Sequence, residues 1–361
     1  MTATVYTLIG WTGQEAYRYE LSWDKALPAK EDIRFTGSIA ESKKVALIKE
    51  RDGIGPGDVT DVKLENGILT IDVEPISTRY DYQLVIGDTV IDKKDIPDVR
   101  TRTADDKFGK FEEGEVMYRL YTPDCTEKRP LILYLHGGGN GGTVDFRDNN
   151  KQIVTDYGPV NLAEAYPDVY IMCPMAIEAK RFPGAHPIKQ TFENADSSPT
   201  GWNRTYLGKV CDIIRKMIRE GEIDENRVYV TGLSMGGGGT ITAMSVGAGL
   251  FAAAVPICPT MTPSTYNILS TINDPVWIAS AYVDHTIYRH KYLTDAYANL
   301  IANGNKNAHI TLYSPEELAK YDIAIVEDLE PTQRFSENHY SWVPTYNNEH
   351  GIMTWMLNQH K

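Results

Sequence analysis

Cysteine is scarce in this chain. Its four residues, Cys125, Cys173, Cys211 and Cys258, lie far apart and form no C-x-x-C pair. That spacing argues against a zinc site, and a chain of this size needs no disulfide framework. Cys173 and Cys258 close apolar strand patterns and read as buried thiols. Long hydrophobic runs are missing too: none approaches the ~18 apolar residues of a membrane span. Basic residues are in the minority, 36 Lys and Arg against 49 Asp and Glu, for a formal charge of −13. This balance speaks against nucleic acid as a partner, and the acidity serves solubility. Met1-Thr2-Ala3-Thr4-Val5 runs straight into a strand pattern, without a basic region or an apolar leader core. Two locations stay open on that ground, the cytoplasm or export with a leader already removed. There is no internal repeat and no low-complexity tract.

What is present fits two domains, since 361 residues exceed one ordinary domain. Residues 1–105 carry alternation and turn signals of an all-β fold. The expected strands are Thr4–Ile9, Ala16–Trp23, Asp32–Ser38, Lys44–Lys49, Val59–Leu64, Ile68–Val73 and Tyr80–Ile86, with Asn66-Gly67 as a two-residue hairpin turn. Several short strands at this spacing predict a small immunoglobulin-like sandwich. The aromatics Trp11, Tyr17, Tyr19 and Trp23 assign it no ligand, because alternating aromatics in a strand usually face the core. Thr101–Lys110, polar and charged, reads as a linker.

From about Phe111, and through the domain assigned to 106–361, strands alternate with helices, which predicts a mostly parallel sheet flanked by helices. The strands are Val116–Tyr121, Leu131–Leu135, Val169–Cys173, Val228–Thr231, Ala252–Ile257, Val276–Ala281 and His309–Tyr313. The helices are Leu207–Glu220, with Val210, Ile213, Ile214 and Met217 on one face, then Tyr292–Asn303 and about Gly351–Gln359.

Gly232-Leu233-Ser234-Met235-Gly236 is the most informative stretch. It lies between a strand and a small-residue helix start, the setting of a nucleophile elbow in an α/β hydrolase. A serine hydroxyl is a poor nucleophile at neutral pH and needs a base, itself oriented by a third group. In this fold the order is Ser, acid, His. Asp284 follows the strand Val276–Ala281, where the acid belongs; Asp274, Glu327 and Asp328 are weaker rivals. The base belongs after the last strand and before the final helix, which admits His339 and His350. His339 is favoured by its turn-like, aromatic-rich setting Asn338-His339-Tyr340-Ser341-Trp342, whereas His350 adjoins the last helix. His285 reads as a pocket-edge or surface residue, and His186, His290, His309 and His360 as structural or solvated. Activity is expected to rise as His339 loses its proton, near the unperturbed histidine value of about 6.5.

An acyl transfer also needs N–H groups to hold the developing oxyanion. Met235, just after the serine, supplies one; Gly137 and Gly138 in His136-Gly137-Gly138-Gly139 supply the others. A phosphate loop is the alternative, but the Lys-Ser/Thr of a P-loop is missing. The chemistry requires no cofactor, and no histidine spacing suggests a metal site.

Three stretches extend the pattern: Ile223-Asp-Glu-Asn-Arg-Val-Tyr-Val-Thr-Gly-Leu-Ser-Met-Gly-Gly237, Leu250-Phe-Ala-Ala-Ala-Val-Pro-Ile-Cys258 and His339-Tyr-Ser-Trp-Val-Pro-Thr-Tyr346. With His136-Gly137 and Pro275–Asp284 they span most of 115–361, and they resemble bacterial two-domain esterases of the α/β-hydrolase superfamily, the "predicted peptidase" type. The resemblance implies an immunoglobulin-like N-terminal domain, nucleophile Ser234, acid Asp284 and, from its H-x-S-W segment, base His339. The chain departs from that pattern twice. Gly238 stands where a bulky aromatic is usual, which is expected to widen the space beside the nucleophile as part of a substrate pocket. The segment from Ser314 to Asn338 is longer than usual, and is expected to form a lid or pocket wall over Ser234, with a surface loop as the alternative. Trp202 is a further candidate for lining the pocket, with an ordinary core tryptophan as the alternative.

The function expected is a serine carboxylic-ester hydrolase, a carboxylesterase acting on a small-molecule or carbohydrate ester. Short-chain, aryl and feruloyl or acetyl sugar esters all fit. A serine peptidase with the same three residues is the second reading, and a non-catalytic carbohydrate-binding protein the third. A homo-oligomer is left open.

Overall fold

The computed structural model describes residues 2–11, 13–37, 57–77, 82–102, 107–125, 127–138, 157–176, 201–284, 287–327 and 336–361. The chain divides into two compact units, one built mainly on Met1–Thr103 and one on the residues from Ala104 onward.

The first unit is all β among its described residues, apart from two single-turn 3-10 segments. Its strands are β1 (Ala3–Gly10), β2 (Gly13–Ser22), β3 (Ile33–Gly37), β4 (Val59–Glu65), β5 (Ile68–Ser77), β6 (Tyr82–Ile86), β7 (Thr89–Asp92) and β8 (Asp98–Arg102). They form a five-stranded sheet in the order β4-β5-β2-β1-β8 and a three-stranded sheet β3-β6-β7. Side chains alternate across a strand, so Tyr19 and Leu21 of the larger sheet point into one core with Ile33, Tyr82 and Leu84 of the smaller. Tyr19 donates its hydroxyl hydrogen to Tyr82 Oη at 2.6 Å, which joins the two sheets at their centre. Asn66 and Gly67 turn β4 into β5 with φ of 52° and 76°. Positive φ at both central residues is what a type I′ hairpin demands. The expected strand Lys44–Lys49 lies outside the described residues.

The expected linker Thr101–Lys110 is corrected at both ends. β8 runs to Arg102 and pairs in parallel with β1, and the second unit begins with β9 (Phe108–Glu113), paired to β10 (Val116–Tyr121). Both are edge strands, and their charged residues keep the open edges soluble, so they look like linker in sequence.

The second unit continues with β11 (Arg129–Leu135), α1 (Tyr157–Ala165), β12 (Tyr170–Pro174), α2 (Arg204–Glu220), β13 (Ile223–Leu233), α3 (Met235–Val246), β14 (Ala253–Ile257), α4 (Pro263–Thr271), β15 (Val276–Ala281), α5 (Ile287–Ala302), β16 (Ala308–Tyr313), α6 (Pro315–Ala319), α7 (Trp342–Tyr346) and α8 (Ile352–Leu357). The sheet order is β16-β15-β14-β13-β11-β12-β10-β9, parallel from β12 to β16 and antiparallel at β10 and β9. β12 and β14 are buried along their whole length, as expected for strands covered on both faces. One face shares a core with α2 to α5, where Leu133 and Val230 meet Val210, Ile241 and Leu293. On the opposite face Tyr229 donates to the carbonyls of Leu357 and Gln359 around the end of α8. Among the described residues no helix is long and apolar enough to cross a membrane.

The parallel strands end together on one side, the side where open α/β sheets bind ligands. Ser234 follows β13 there, and Asp284 follows β15.

Candidate active site

Ser234 is the single residue between β13 and α3, with φ 57° and ψ −114°. For a non-glycine residue such a backbone costs about 1–3 kcal/mol and persists only where surroundings enforce it. The enforcing bonds are main-chain. Ser234 N–H donates to Ile257 O at 2.9 Å, and Ser234 O accepts from Gly238 N–H at 3.1 Å and Thr260 N–H at 2.9 Å. The β11 main chain also presses on the turn. A Cβ on Gly236 would overlap the Leu135 carbonyl, so the chain can close this tightly only with glycine there.

His339 reaches the serine from a short 3-10 turn, Ser336–His339, in the connection after β16. Its Nδ1 lies 2.8 Å from Asp284 Oδ2 and its Nε2 lies 2.9 Å from Ser234 Oγ. A carboxylate only accepts, so Nδ1 carries the hydrogen and Nε2 is left to accept from the serine hydroxyl; the tautomer is assigned from these partners. The Asp284 side chain is wholly buried, the His339 side chain is 12% exposed and Ser234 is half-buried, so among the described residues exposure rises from the acid toward the serine. The Trp342 ring stands edge-on to the imidazole, with centroids 5.4 Å apart.

The rival residues lie apart from this chain of bonds. His350 bonds Glu317 at 2.7 Å through Nε2, and Asp274 and Glu327 are exposed. His309 packs between Trp277 and Trp355, and His360 is exposed beside Asn358 O. His186, His285 and Asp328 lie outside the described residues, as does the side chain of His290. All four cysteines are free, three of them buried. Among the described residues no group of three or more His, Cys, Asp and Glu is placed to hold a metal.

The candidate oxyanion donors lie against the elbow. A Cβ built on Gly137 would stand 3.7 Å from Ser234 Cβ, and one on Gly138 would stand 3.8 Å from Met235 Cβ. Met235 opens α3, so its N–H has no acceptor within the helix. Gly139 is outside the described residues. The His136 side chain had no role in the sequence reading. It is fully buried, with Nδ1 donating to Gly137 O at 2.8 Å and Nε2 accepting from Ala176 N–H at 3.1 Å. These partners define a neutral imidazole that fastens the turn from inside.

The two candidate pocket residues, Gly238 and Trp202, sit in packed surroundings. Gly238 is buried, and a Cβ there would stand 2.7 Å from Thr260 O. Main chain fills the space beside it, and the glycine allows that main chain to reach Ser234. Trp202 is only 7% exposed, donates its indole N–H to His136 O at 3.0 Å and packs on Tyr206. Its indole thus packs behind the Gly137 turn. The described part of the long insertion, Ser314–Glu327, is bonded to its surroundings along its length. Its residues meet Glu337, Asn338 and Glu349, contacts with no local signature beyond the Ser-Pro-Glu-Glu start of α6.

Comparison with known proteins bears on the fold. Residues 200–312 match the model of the prolyl oligopeptidase family. No curated protein sequence matches the chain. Over the full length of both chains the structure is similar to that of a thermostable esterase, at 21% identity and a TM-score of 0.60. A thermophilic esterase from Thermogutta terrifontis aligns with 70% of this chain and 96% of its own at 12% identity, with a TM-score of 0.45. The second unit has the α/β-hydrolase fold, preceded by a two-sheet β unit.

Proposed function

We propose that this protein is a serine hydrolase of carboxylic esters, with Ser234 as nucleophile, His339 as base and then acid, and Asp284 as the group that orients His339. The observation that carries the reading is the unbroken bond chain from Asp284 Oδ2 through both nitrogens of His339 to Ser234 Oγ. A hydroxyl bonded to an imidazole nitrogen can pass its proton there as the oxygen attacks. Ser234 Oγ forms a bond to the acyl carbon while its proton moves to His339 Nε2. Negative charge on the former carbonyl oxygen is met by the N–H of Met235 and those of Gly137 and Gly138, and each such donor is worth roughly 2.7–4 kcal/mol. The intermediate collapses, the leaving alkoxide takes the proton from Nε2, and an acyl-Ser234 ester remains. Water repeats the sequence and frees the acid.

The reading extends to short-chain, aryl or carbohydrate-linked esters, feruloyl and acetyl types among them. An accessory β unit of immunoglobulin-like layout, with two sheets around one core and β1 parallel to β8, fits work on a polysaccharide. A peptidase is the second reading, favoured by the match of 200–312 to the prolyl oligopeptidase family. The test is hydrolysis of a matched panel: short and medium acyl nitrophenyl esters, methyl ferulate, acetylated xylan and a peptide anilide, with Ser234→Ala run alongside. Ester turnover that vanishes in Ser234→Ala is expected. Anilide turnover without ester preference would replace this reading with the peptidase, and turnover unaffected by the substitution would sink both.

A further inference from the structure

We propose that Asn338, together with the main chain of Ala324–Val326 that it and Glu337 hold, is the positioning device for His339; the inference rests on the reading of His339 as the base. Asn338 is fully buried and adjoins His339 in the chain. Its amide makes a two-way bond with one residue across the turn: Nδ2 donates to Val326 O at 2.8 Å and Oδ1 accepts from Val326 N–H at 3.0 Å. This is the exchange two paired strands make, with a side chain replacing one strand. Glu337 adds a parallel tie, Oε2 accepting from Ala324 N–H at 2.6 Å.

The held segment is itself fixed at its other end. Ser314 and Glu317 close a capping box on α6, and Leu318 and Ile323 are buried. Tyr321 donates its hydroxyl hydrogen to Glu349 Oε2 at 2.7 Å, and Lys320 pairs with the same carboxylate at 3.1 Å. These ties make Ser314–Glu327 a clamp on the histidine turn.

His339 needs such a clamp because of where it sits. Its imidazole makes bonds in opposite directions, to Asp284 and to Ser234, and both lengths depend on the placement of one Cα. That Cα belongs to a 3-10 turn of four residues, a short element with weak geometry of its own. Within the turn, Tyr340 N–H donates to Glu337 O and Ser341 N–H to His339 O. The ties to Ala324 and Val326 come from the two residues just before the histidine. A misplacement of about 1 Å at a reacting group can cost about 10²-fold in rate.

The test compares Asn338→Ala and Glu337→Ala with the native full-length chain. The expected result is a kcat lower by ~10–100-fold for Asn338→Ala and by several-fold for Glu337→Ala, with KM within about threefold of native in both. A second readout needs no substrate: the downfield proton resonance of His339 Nδ1–H on the Asp284 carboxylate, assigned by its loss in His339→Ala. It is expected to shift or broaden in both clamp variants while circular dichroism stays native. A native kcat with an unmoved resonance would overturn the proposal, and if Asn338→Ala does not fold, Glu337→Ala decides alone. A native protein that hydrolyses no ester would sink the function reading, while the resonance still reports whether Asn338 aligns His339.

Discussion

Trp202 donates its indole N–H to the main-chain carbonyl of His136 at 3.0 Å and sets its ring edge-on to the imidazole, with centroids 5.0 Å apart at 62°. The imidazole in turn holds the Gly137 carbonyl. Two successive carbonyls are thus turned into the protein interior, and in a trans peptide the N–H that follows each carbonyl points the opposite way.

Removing only the indole N–H tests this arrangement. Trp202→Phe keeps most of the ring volume but leaves the His136 carbonyl buried without that donor, at a cost of about 1–3 kcal/mol. Urea unfolding is expected to show a loss of that size, and single-turnover acylation a rate several-fold below native. A variant as stable and as fast as the native protein would mean that the turn holds itself.

Gly238 offers a second test. The Thr260 carbonyl, whose own residue donates its N–H to Ser234 O, occupies the position a Cβ would contest at 2.7 Å. Alanine usually gains ~1 kcal/mol over glycine in a helix, yet overpacking typically costs about 1–3 kcal/mol. Gly238→Ala is therefore expected to melt lower than the native protein and to lose activity, because Thr260 is displaced from Ser234. A higher melting temperature with full activity would show that the Cys258–Thr260 segment is free to move aside.

The same physics explains what could be read from the chain. The meeting of Ser234, Asp284 and His339 was legible because each follows a largely buried strand or lies in a fixed order after it, and buried strands leave short apolar runs bounded by turn signals. Three strands were not legible: Thr89–Asp92, Asp98–Arg102 and Phe108–Glu113. All are edge strands, with one side open to solvent and charged residues that mimic a loop. The start of α2 was read three residues late because its signal is polar: Asn203 accepts from Tyr206 N–H as the N-cap. The packing around Gly238 and Trp202 was not legible for a different reason. Whether a glycine opens space or admits main chain depends on a segment 22 residues further on, and local sequence carries no trace of it. Asn338 was equally silent, since its partner at Val326 is a main-chain group that any residue could supply.

Asp284 separates from its rivals by a direct substitution. His339 Nδ1–H needs an acceptor, and an amide at 284 can present its NH2 instead, driving the imidazole to the wrong tautomer. Asp284→Asn is expected to lower kcat by roughly 10⁴-fold with the fold intact. Asp274→Asn and Glu327→Gln, both at exposed positions, are expected to stay within twofold of native. Comparable losses in all three would remove Asp284 from its role.

Acid pH should loosen the clamp before it reaches the buried core. The Glu349 carboxyl is held below the ordinary glutamate range, first by the Tyr321 hydroxyl and then by Lys320. The Glu317 carboxyl is lowered as well, chiefly by the Ser314 N–H, with His350 adding to it. A depressed folded value means the stabilisation is fully present above the unfolded pKa of about 4.3 and is lost as pH falls through the lower folded values. Glu349→Gln removes one of these charges. The native protein is expected to melt higher than Glu349→Gln at pH 7, and the difference is expected to close as the pH is lowered from about 4.5 toward 3. Tyr321→Phe, which deletes the largest cause of the Glu349 shift, should carry part of that pH dependence away with it. A native-to-variant difference that is the same at neutral and acid pH would mean that the ties of Glu349 stabilise through packing, and that its charge contributes nothing.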